Sequence, residues 1–288
     1  MSIPPASEPR PPTVTPLIRV ASQWLVGAVL AVTLMLLFLA INAVQLSSEG
    51  TGQHLLGRSV AVSTNIDAIL PDLQTALREE AQEGEVDPVR VPDFPIPVDL
   101  PRDEAVSLEG AALRERILKD AAARLYQNGM SVWEEDEPKG EQDIENISVT
   151  GALRRGLGLI SAENHDRFVV AAAVLGFLSA VLGVALLASG RSWGRLIAFS
   201  TVTTAAALPS LASAVAVRFG FRTAQEEADP FVSGLLDLGV EAMWIPIRNY
   251  VALTVLGFTA LFLTLVFIWV VTRQPASSVD GPAASTQS

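Results

Sequence analysis

The sequence predicts an all-α membrane protein: a four-transmembrane-helix bundle with a helical, acidic extramembrane domain between spans 1 and 2. Half of the 288 residues are apolar, and they are concentrated in four long stretches without a charged side chain. About 20 helical residues cross the ~30 Å hydrocarbon core of a bilayer, and only helices satisfy their own backbone hydrogen bonds over such a length in lipid. The uncharged stretches hold 29, 23, 22 and 24 residues, between Arg19 and Glu49, Arg167 and Arg191, Arg195 and Arg218, and Arg248 and Arg273.

These stretches and the composition between them divide the chain into successive segments. The first tail is rich in proline and too polar to fold alone. The predicted segments are a disordered cytoplasmic tail (1–22), span 1 (23–45), an acidic extracytoplasmic helical domain (46–167), span 2 (168–189), span 3 (196–217), a second extracytoplasmic loop (219–248), span 4 (250–272) and a disordered cytoplasmic tail (273–288).

The acidic domain holds 12 basic and 24 acidic residues, a formal charge of −12. Apolar residues at helical spacing predict one helical stretch over about 52–82, with a break or kink at Pro71, and another over about 105–128. The second should stop at Asn128 and Gly129, which are typical helix-ending residues.

Two further segments of this domain have distinct patterns. Alternating apolar residues and prolines over 91–101 predict an extended or polyproline strip that packs across the two helices, with a recognition motif as the alternative. Residues 134–145 contain seven acids and one lysine, and because they lack EF-hand spacing we interpret them as a solvated loop rather than a calcium site. A short helix is predicted over 149–162.

Basic residues predict the orientation. Arg10 and Arg19 precede span 1, whereas the first charge after it is Glu49, and Arg191 and Arg195 flank the turn between spans 2 and 3. Positive residues favour the cytoplasmic side, so we expect a multi-pass plasma-membrane protein with both termini cytoplasmic. Because only two of the 20 basic residues are lysines, the composition is typical of a GC-rich bacterial genome.

The second loop predicts an amphipathic helix at the membrane surface. It would be capped by Asp229, followed by Pro230, and ended by Pro246. Charges near it could form an anion or lipid-headgroup site, or they could be snorkelling arginines paired with nearby acids. These residues are Arg218, Arg222, Glu226, Glu227, Glu241 and Arg248.

Spans 2 and 3 are richer in small and hydroxyl side chains than the other two. Small residues let helices approach closely in lipid, so we expect spans 2 and 3 to form the centre of the bundle and spans 1 and 4 to face lipid. The alternative is that span 3 is kinked and lines a path. The residues that favour packing or path lining are Ala172, Gly176, Ala180, Thr201, Thr204, Pro209 and Ser213.

The sequence contains few groups that could form a catalytic or metal-binding site. The chain has no cysteine, two histidines, no ionisable group inside a predicted span and none of the common hydrolase, metalloprotease or nucleotide-binding motifs. We therefore predict no catalytic residue, no metal and no cofactor. The expected partners are the lipid bilayer and a second protein or another copy of the chain, and no nucleic acid.

The leading functional hypothesis is a non-enzymatic binding, sensing or accessory component that acts through the acidic extracytoplasmic domain. The alternative is a small transporter or channel component in which the hydroxyl-rich span 3 lines a path. A membrane enzyme that uses carboxylates of the acidic domain is a third hypothesis, and the sequence offers no way to choose a pair of them.

Overall fold

A computed structural model describes residues 16–83, 87–129, 156–189 and 194–273. This part of the chain is almost entirely helical. Its helices are α1 (Pro16–Leu46), α2 (Glu49–Thr64), α3 (Ile66–Glu83), α4 (Arg102–Ser107), α5 (Gly110–Asn128), α6 (Ala162–Ser189), α7 (Gly194–Glu227), α8 (Pro230–Ala242) and α9 (Trp244–Arg273). Two short strands, β1 (Val89–Arg90) and β2 (Asp99–Leu100), pair antiparallel.

Four helices are long and apolar enough to cross a membrane, which confirms the predicted spans and a membrane-embedded protein. They are α1, α6, α7 and α9. All four extend past the predicted bounds. α1 begins at Pro16, inside the predicted disordered tail, α6 begins at Ala162 and α9 at Trp244, and α7 continues ten residues beyond Val217. Pro246 therefore lies in the first turn of α9, where a missing backbone N–H costs little.

The expected arrangement of the spans is right for spans 3 and 4 and wrong for spans 1 and 2. In the most apolar stretch of each helix, 22% of residues are buried in α1 and α7, against 11% in α6 and α9. The closest packing joins α1 to α6 and α7 to α9, and α1 contacts all three other spans. Spans 1 and 3 are therefore the inner helices, whereas spans 2 and 4 are the more exposed ones.

Small residues explain this arrangement. A Cβ built on Gly257 of α9 would lie 2.6 Å from Thr204 Oγ1, so the glycine lets α9 come directly against α7. A Cβ on Gly176 of α6 would lie 3.8 Å from Leu37 of α1, so this glycine of the small-residue ridge of span 2 faces span 1. Composition identified the residues that allow close packing, but it did not identify their partners.

The segment between α1 and α6 folds around its own apolar core, and we call residues 47–129 the first-loop domain. The core lies between α2, α3 and α5 and contains Val60, Leu77 and Ile117, each with no exposed surface. The predicted extended strip closes one side of it: Ile96, Val98 and Leu100 are fully buried, while Val91 N–H donates to Val98 O at 2.8 Å.

Two helix breaks in this domain differ from the sequence pattern. The first stretch breaks at Asn65, which ends α2 in the left-handed conformation at φ 46°, while Pro71 lies inside α3. The second stretch is divided into α4 and α5 at Leu108 and Glu109. Asn128 ends α5 as predicted, followed by Gly129 at φ 73°.

The amphipathic helix of the second loop is present, and part of its apolar face packs inside the protein. Its cap is as predicted, because Asp229 accepts hydrogen bonds from Phe231 N–H and Val232 N–H at 2.9 and 3.0 Å. Leu235 and Leu238 are buried in the protein, where α8 packs on α7 and α2.

Several predicted segments lie outside the described residues. They are the acidic loop (134–145), the predicted turn at 190–193, most of both tails and the first half of the predicted helix 149–162.

Candidate functional site

The first-loop domain contacts the membrane bundle through α8. A Cβ on Gly234 would lie 2.8 Å from a methyl group of Val62, so the glycine allows α8 to approach α2 directly. Beside this contact, Leu55 of α2 forms a small apolar cluster with Leu235 and Leu238. Two loops far apart in sequence are therefore packed into one structure.

Charged residues beside this contact pair across it. Arg58 of α2 donates to Asp237 Oδ2 at 2.9 Å and to Glu241 Oε2, while His54 Nε2 lies 3.3 Å from Glu241 Oε1. The carboxylates recur four residues apart, which places them on the same face of α8. Because these side chains are 41–60% exposed, each pair stabilises the contact only modestly.

The structure does not gather the predicted charge cluster into one site. Glu241 pairs with α2, and the Arg218 guanidinium lies 5.1 Å from the centre of the Trp244 ring. The remaining members are exposed and form no ion pair within 4 Å in the described part of the chain: Arg222, Glu226, Glu227 and Arg248. The cluster combines a docking contact, a cation–π contact and solvated charges.

A second polar contact joins α5 to the membrane-side end of the domain. The Tyr126 hydroxyl donates to Ser47 O at 2.9 Å, and Ser47 Oγ lies 3.1 Å from His165 Nδ1. The Ser47 hydroxyl also lies 2.7 Å from Ala43 O, to which it can donate. The direction of its bond with the imidazole depends on the tautomer of His165.

Replacing Tyr126 by Phe is expected to weaken this contact by about 1 kcal/mol, because one buried hydrogen bond is lost. Burial, with the charges of Glu49 and Asp166, raises the pKa of the Tyr126 hydroxyl above 10.0. The stabilisation should be complete below pH 10 and should be lost as the pH rises through the raised pKa. Thermal unfolding of wild type and variant at pH 8 and 11 measures both effects, which should converge at the higher pH.

Amide side chains at the same end of the bundle were missed by the sequence analysis. Asn249 Nδ2 of α9 donates to Asn42 Oδ1 at 2.6 Å and to Gln45 Oε1 at 2.8 Å, both on α1. Asn42 is 3% exposed. Its position inside predicted span 1 was the available signal, since a buried amide in lipid requires a partner.

The candidate packing or path-lining residues do not share one face. Thr204 is buried against α9, Ala172 and Gly176 are half-buried, and the rest are exposed on the spans: Ala180, Thr201, Pro209 and Ser213. Pro209 lies within the continuous helix α7. The hydroxyl groups of span 3 are thus divided between a helix contact and the outer surface.

Two cavities lie at the junction of the domain and the bundle. The larger, about 1110 Å³, is a groove between α2, α5 and the start of α8, and it mixes charged and apolar residues. The smaller, about 510 Å³, is lined by the last turn of α1, by α8 and by residues 156–160, and nearly all of its lining is apolar. Both cavities need residues from the first and second loops.

Among the described residues, no cluster of three or more His, Asp and Glu side chains could hold a metal ion.

A comparison of the chain with protein families, with curated proteins and with solved structures finds no match.

Proposed function

We propose that the chain is a non-enzymatic binding or sensing component of the plasma membrane, which takes up a partner protein in the groove between α2, α5 and α8. The observation that supports this proposal is that residues of the first and second extramembrane loops line the groove together. A partner bound there would contact the first-loop domain and the bundle-linked helix α8 together. Binding could therefore be transmitted to the spans through the Gly234–Val62 contact.

The size and lining of the groove favour a protein segment as the occupant. Its volume of about 1110 Å³ exceeds the roughly 300–1,000 Å³ of most small-molecule sites. Its charged residues include Arg58, Arg114 and Lys119 against Asp67 and Glu115, so it is less acidic than the chain as a whole.

Most of these charges are already paired within the protein. Arg114 binds Asp67 through two nitrogens at 2.7 and 3.1 Å, while Arg58 binds α8. In the described part of the chain, Lys119 forms no ion pair and is exposed. It is the cation that a partner's carboxylate would meet in the groove.

The orientation forms part of the proposal. We infer that both termini are cytoplasmic and that the acidic domain lies outside the cytoplasm, because the basic residues around span 1 precede it. A reporter inserted at Lys139 should be active only outside the cytoplasm, and a reporter fused after Ser288 only inside. Opposite activities would place the groove on the cytoplasmic side.

Photo-crosslinking in native membranes tests the groove. A photoreactive amino acid at Lys119 should give a discrete adduct, whereas the same residue at Gln127, exposed on α5 and outside the groove lining, should give none. Ala111 lines the groove and its neighbour Ala112 does not. Ala111→Trp should lower the adduct yield by at least about tenfold, a loss of ~1.4 kcal/mol, while Ala112→Trp should leave it unchanged.

The mass of the adduct identifies the kind of partner. Twice the mass of the chain would indicate another copy of it, and any other single mass would indicate a different protein. Equal adduct yields from Lys119 and Gln127, or a yield that Ala111→Trp does not change, would contradict binding in the groove.

The transporter alternative has less support from the geometry. It depended on hydroxyl side chains that line a common path, but Thr204 is buried against α9, while Thr201 and Ser213 are exposed. A carboxylate enzyme has no stronger basis, since Asp67 of the groove pairs with Arg114, and Asp237 and Glu241 pair with Arg58.

A further inference from the structure

The smaller cavity lies where the spans meet the first-loop domain. Ala43 of α1 and Ser47, which directly follows this helix, form one wall, and Leu235, Leu238 and Ala242 of α8 form another. Phe168, near the start of α6, and Phe221, near the end of α7, also line it. Each lies next to an arginine in sequence, Arg167 and Arg222, so the cavity is at the level where the apolar spans give way to charged sequence.

Water is a poor occupant of this cavity. A buried water needs two to four polar partners, and a cavity without them stays dry or takes an apolar ligand. Ser47 carries the polar side chain in the lining, and its hydroxyl already bonds to Ala43 O and His165. The volume of about 510 Å³ lies within the roughly 300–1,000 Å³ range of ligand sites.

Exposed apolar residues of α6 and α7 follow the two phenylalanines that line the cavity. At the ends that are adjacent in sequence, α6 and α7 touch, since a Cβ on Gly183 would lie 3.4 Å from Phe199. At the other end the two helices contribute Phe168 and Phe221 to the cavity wall. Beyond these two residues the exposed apolar side chains continue along both helices: Val169, Val170 and Val174 on α6, and Val215, Val217 and Phe219 on α7.

Two arginines near the cavity have the charge that binds the phosphate of a phospholipid. Arg222 is exposed and forms no ion pair among the described residues, and Arg218 lies one helical turn before it against Trp244. A lipid whose hydrocarbon chain entered the cavity would leave its phosphate near these cations. Interfacial arginines bind such headgroups by charge attraction.

We infer that the cavity is a binding site for one acyl chain of a bilayer phospholipid, which enters between α6 and α7. The inference goes beyond the proposed function, because the groove for a partner protein and this cavity have no lining residue in common. The bound chain would contact α1, α6, α7 and α8 at once. Occupancy would therefore support the packing of α8 between the spans and the first-loop domain.

Photolabelling in vesicles tests the inference. The full chain is reconstituted in phosphatidylcholine that contains a small fraction of phosphatidylcholine with a diazirine at the end of one acyl chain. Adducts should map to residues 43–47 and 235–243, in addition to lipid-facing residues such as Phe262. Ala242→Phe or Ala43→Phe, which fill the cavity from different helices, should reduce the adducts at the cavity at least about fivefold.

The control is Ala224→Phe, at an exposed position of α7 outside the cavity lining, which should leave all adducts unchanged. Labelling of Phe262 should persist in every variant, and monodisperse elution in detergent shows that a variant is folded. Cavity adducts absent from the wild type, or unchanged in both filled variants, would overturn the site. Labelling by a free fatty-acid diazirine but not by the phospholipid would overturn its assignment to a bilayer lipid.

Discussion

Replacing Ile117 by Asp is expected to unfold the first-loop domain while the four spans remain in the membrane. Ile117 has no exposed surface and lies at the centre of the domain core, with Leu77 and Leu100. A buried carboxylate without a partner costs several kcal/mol, and even Ile117→Ala should cost about 2–5 kcal/mol through the lost contacts and the cavity. Either loss is a large part of the ~5–15 kcal/mol that stabilises a typical domain.

Proteolysis of membrane vesicles measures this effect. Ile117→Asp should expose α2, α3 and α5 to cleavage, and the chain should still resist alkaline extraction from the membrane. Ala112→Asp places the same charge at an exposed position of the same helix and should not increase cleavage. A protected domain in the Ile117→Asp variant would show that the core is not formed by these residues.

The second large effect is expected from Gly234→Leu. The added side chain would overlap Val62, whose branched methyl groups cannot move away easily, and α8 should separate from α2. Overpacking of this kind costs about 1–3 kcal/mol. The ion pairs of Arg58 with Asp237 and Glu241 should be lost with it, because they span the same contact.

Hydrogen exchange of α8 in detergent or nanodiscs should show the separation as faster exchange from Leu235 to Val240. Gly220→Leu is the matched control, since nothing lies within 4 Å of a Cβ built there. Val62→Ala should partly rescue Gly234→Leu by making room, with a coupling of about 0.5–3 kcal/mol. Equal exchange in the Gly234→Leu and Gly220→Leu variants would contradict the docking of α8 on α2.

The parts of the fold that sequence could predict are those set by local pattern. The spans follow from the length of the uncharged stretches, the cap at Asp229 from its side-chain chemistry, and the end of α5 from Asn128 and Gly129. The break between α2 and α3 was misplaced at Pro71, because a proline near the start of a helix can be accommodated. Asn65, a residue that tolerates the left-handed conformation, was the better signal.

What sequence could not predict depends on pairing between distant residues. The ridge at Gly176 could have packed on any neighbouring span, and its partner Leu37 is far away in sequence. Arg58 and Glu241 likewise lie in separate loops, and no pattern in either loop indicates that they form an ion pair. Both cavities arise from such pairings, so neither was visible in the pattern of any single helix.

The most direct test of the account is a disulfide between α2 and α8. The chain has no cysteine, and a Cβ at position 234 would lie 3.6 Å from Val62 Cβ, within the ~3.5–4.5 Å that a disulfide requires. With Val62→Cys, Gly234→Cys and a protease site at Lys139, oxidised membranes should yield two fragments that separate only after reduction. The control pair Val62→Cys and Ala224→Cys should separate without reduction. Fragments of the first pair that separate without reduction would contradict the docking of the first-loop domain on the membrane bundle.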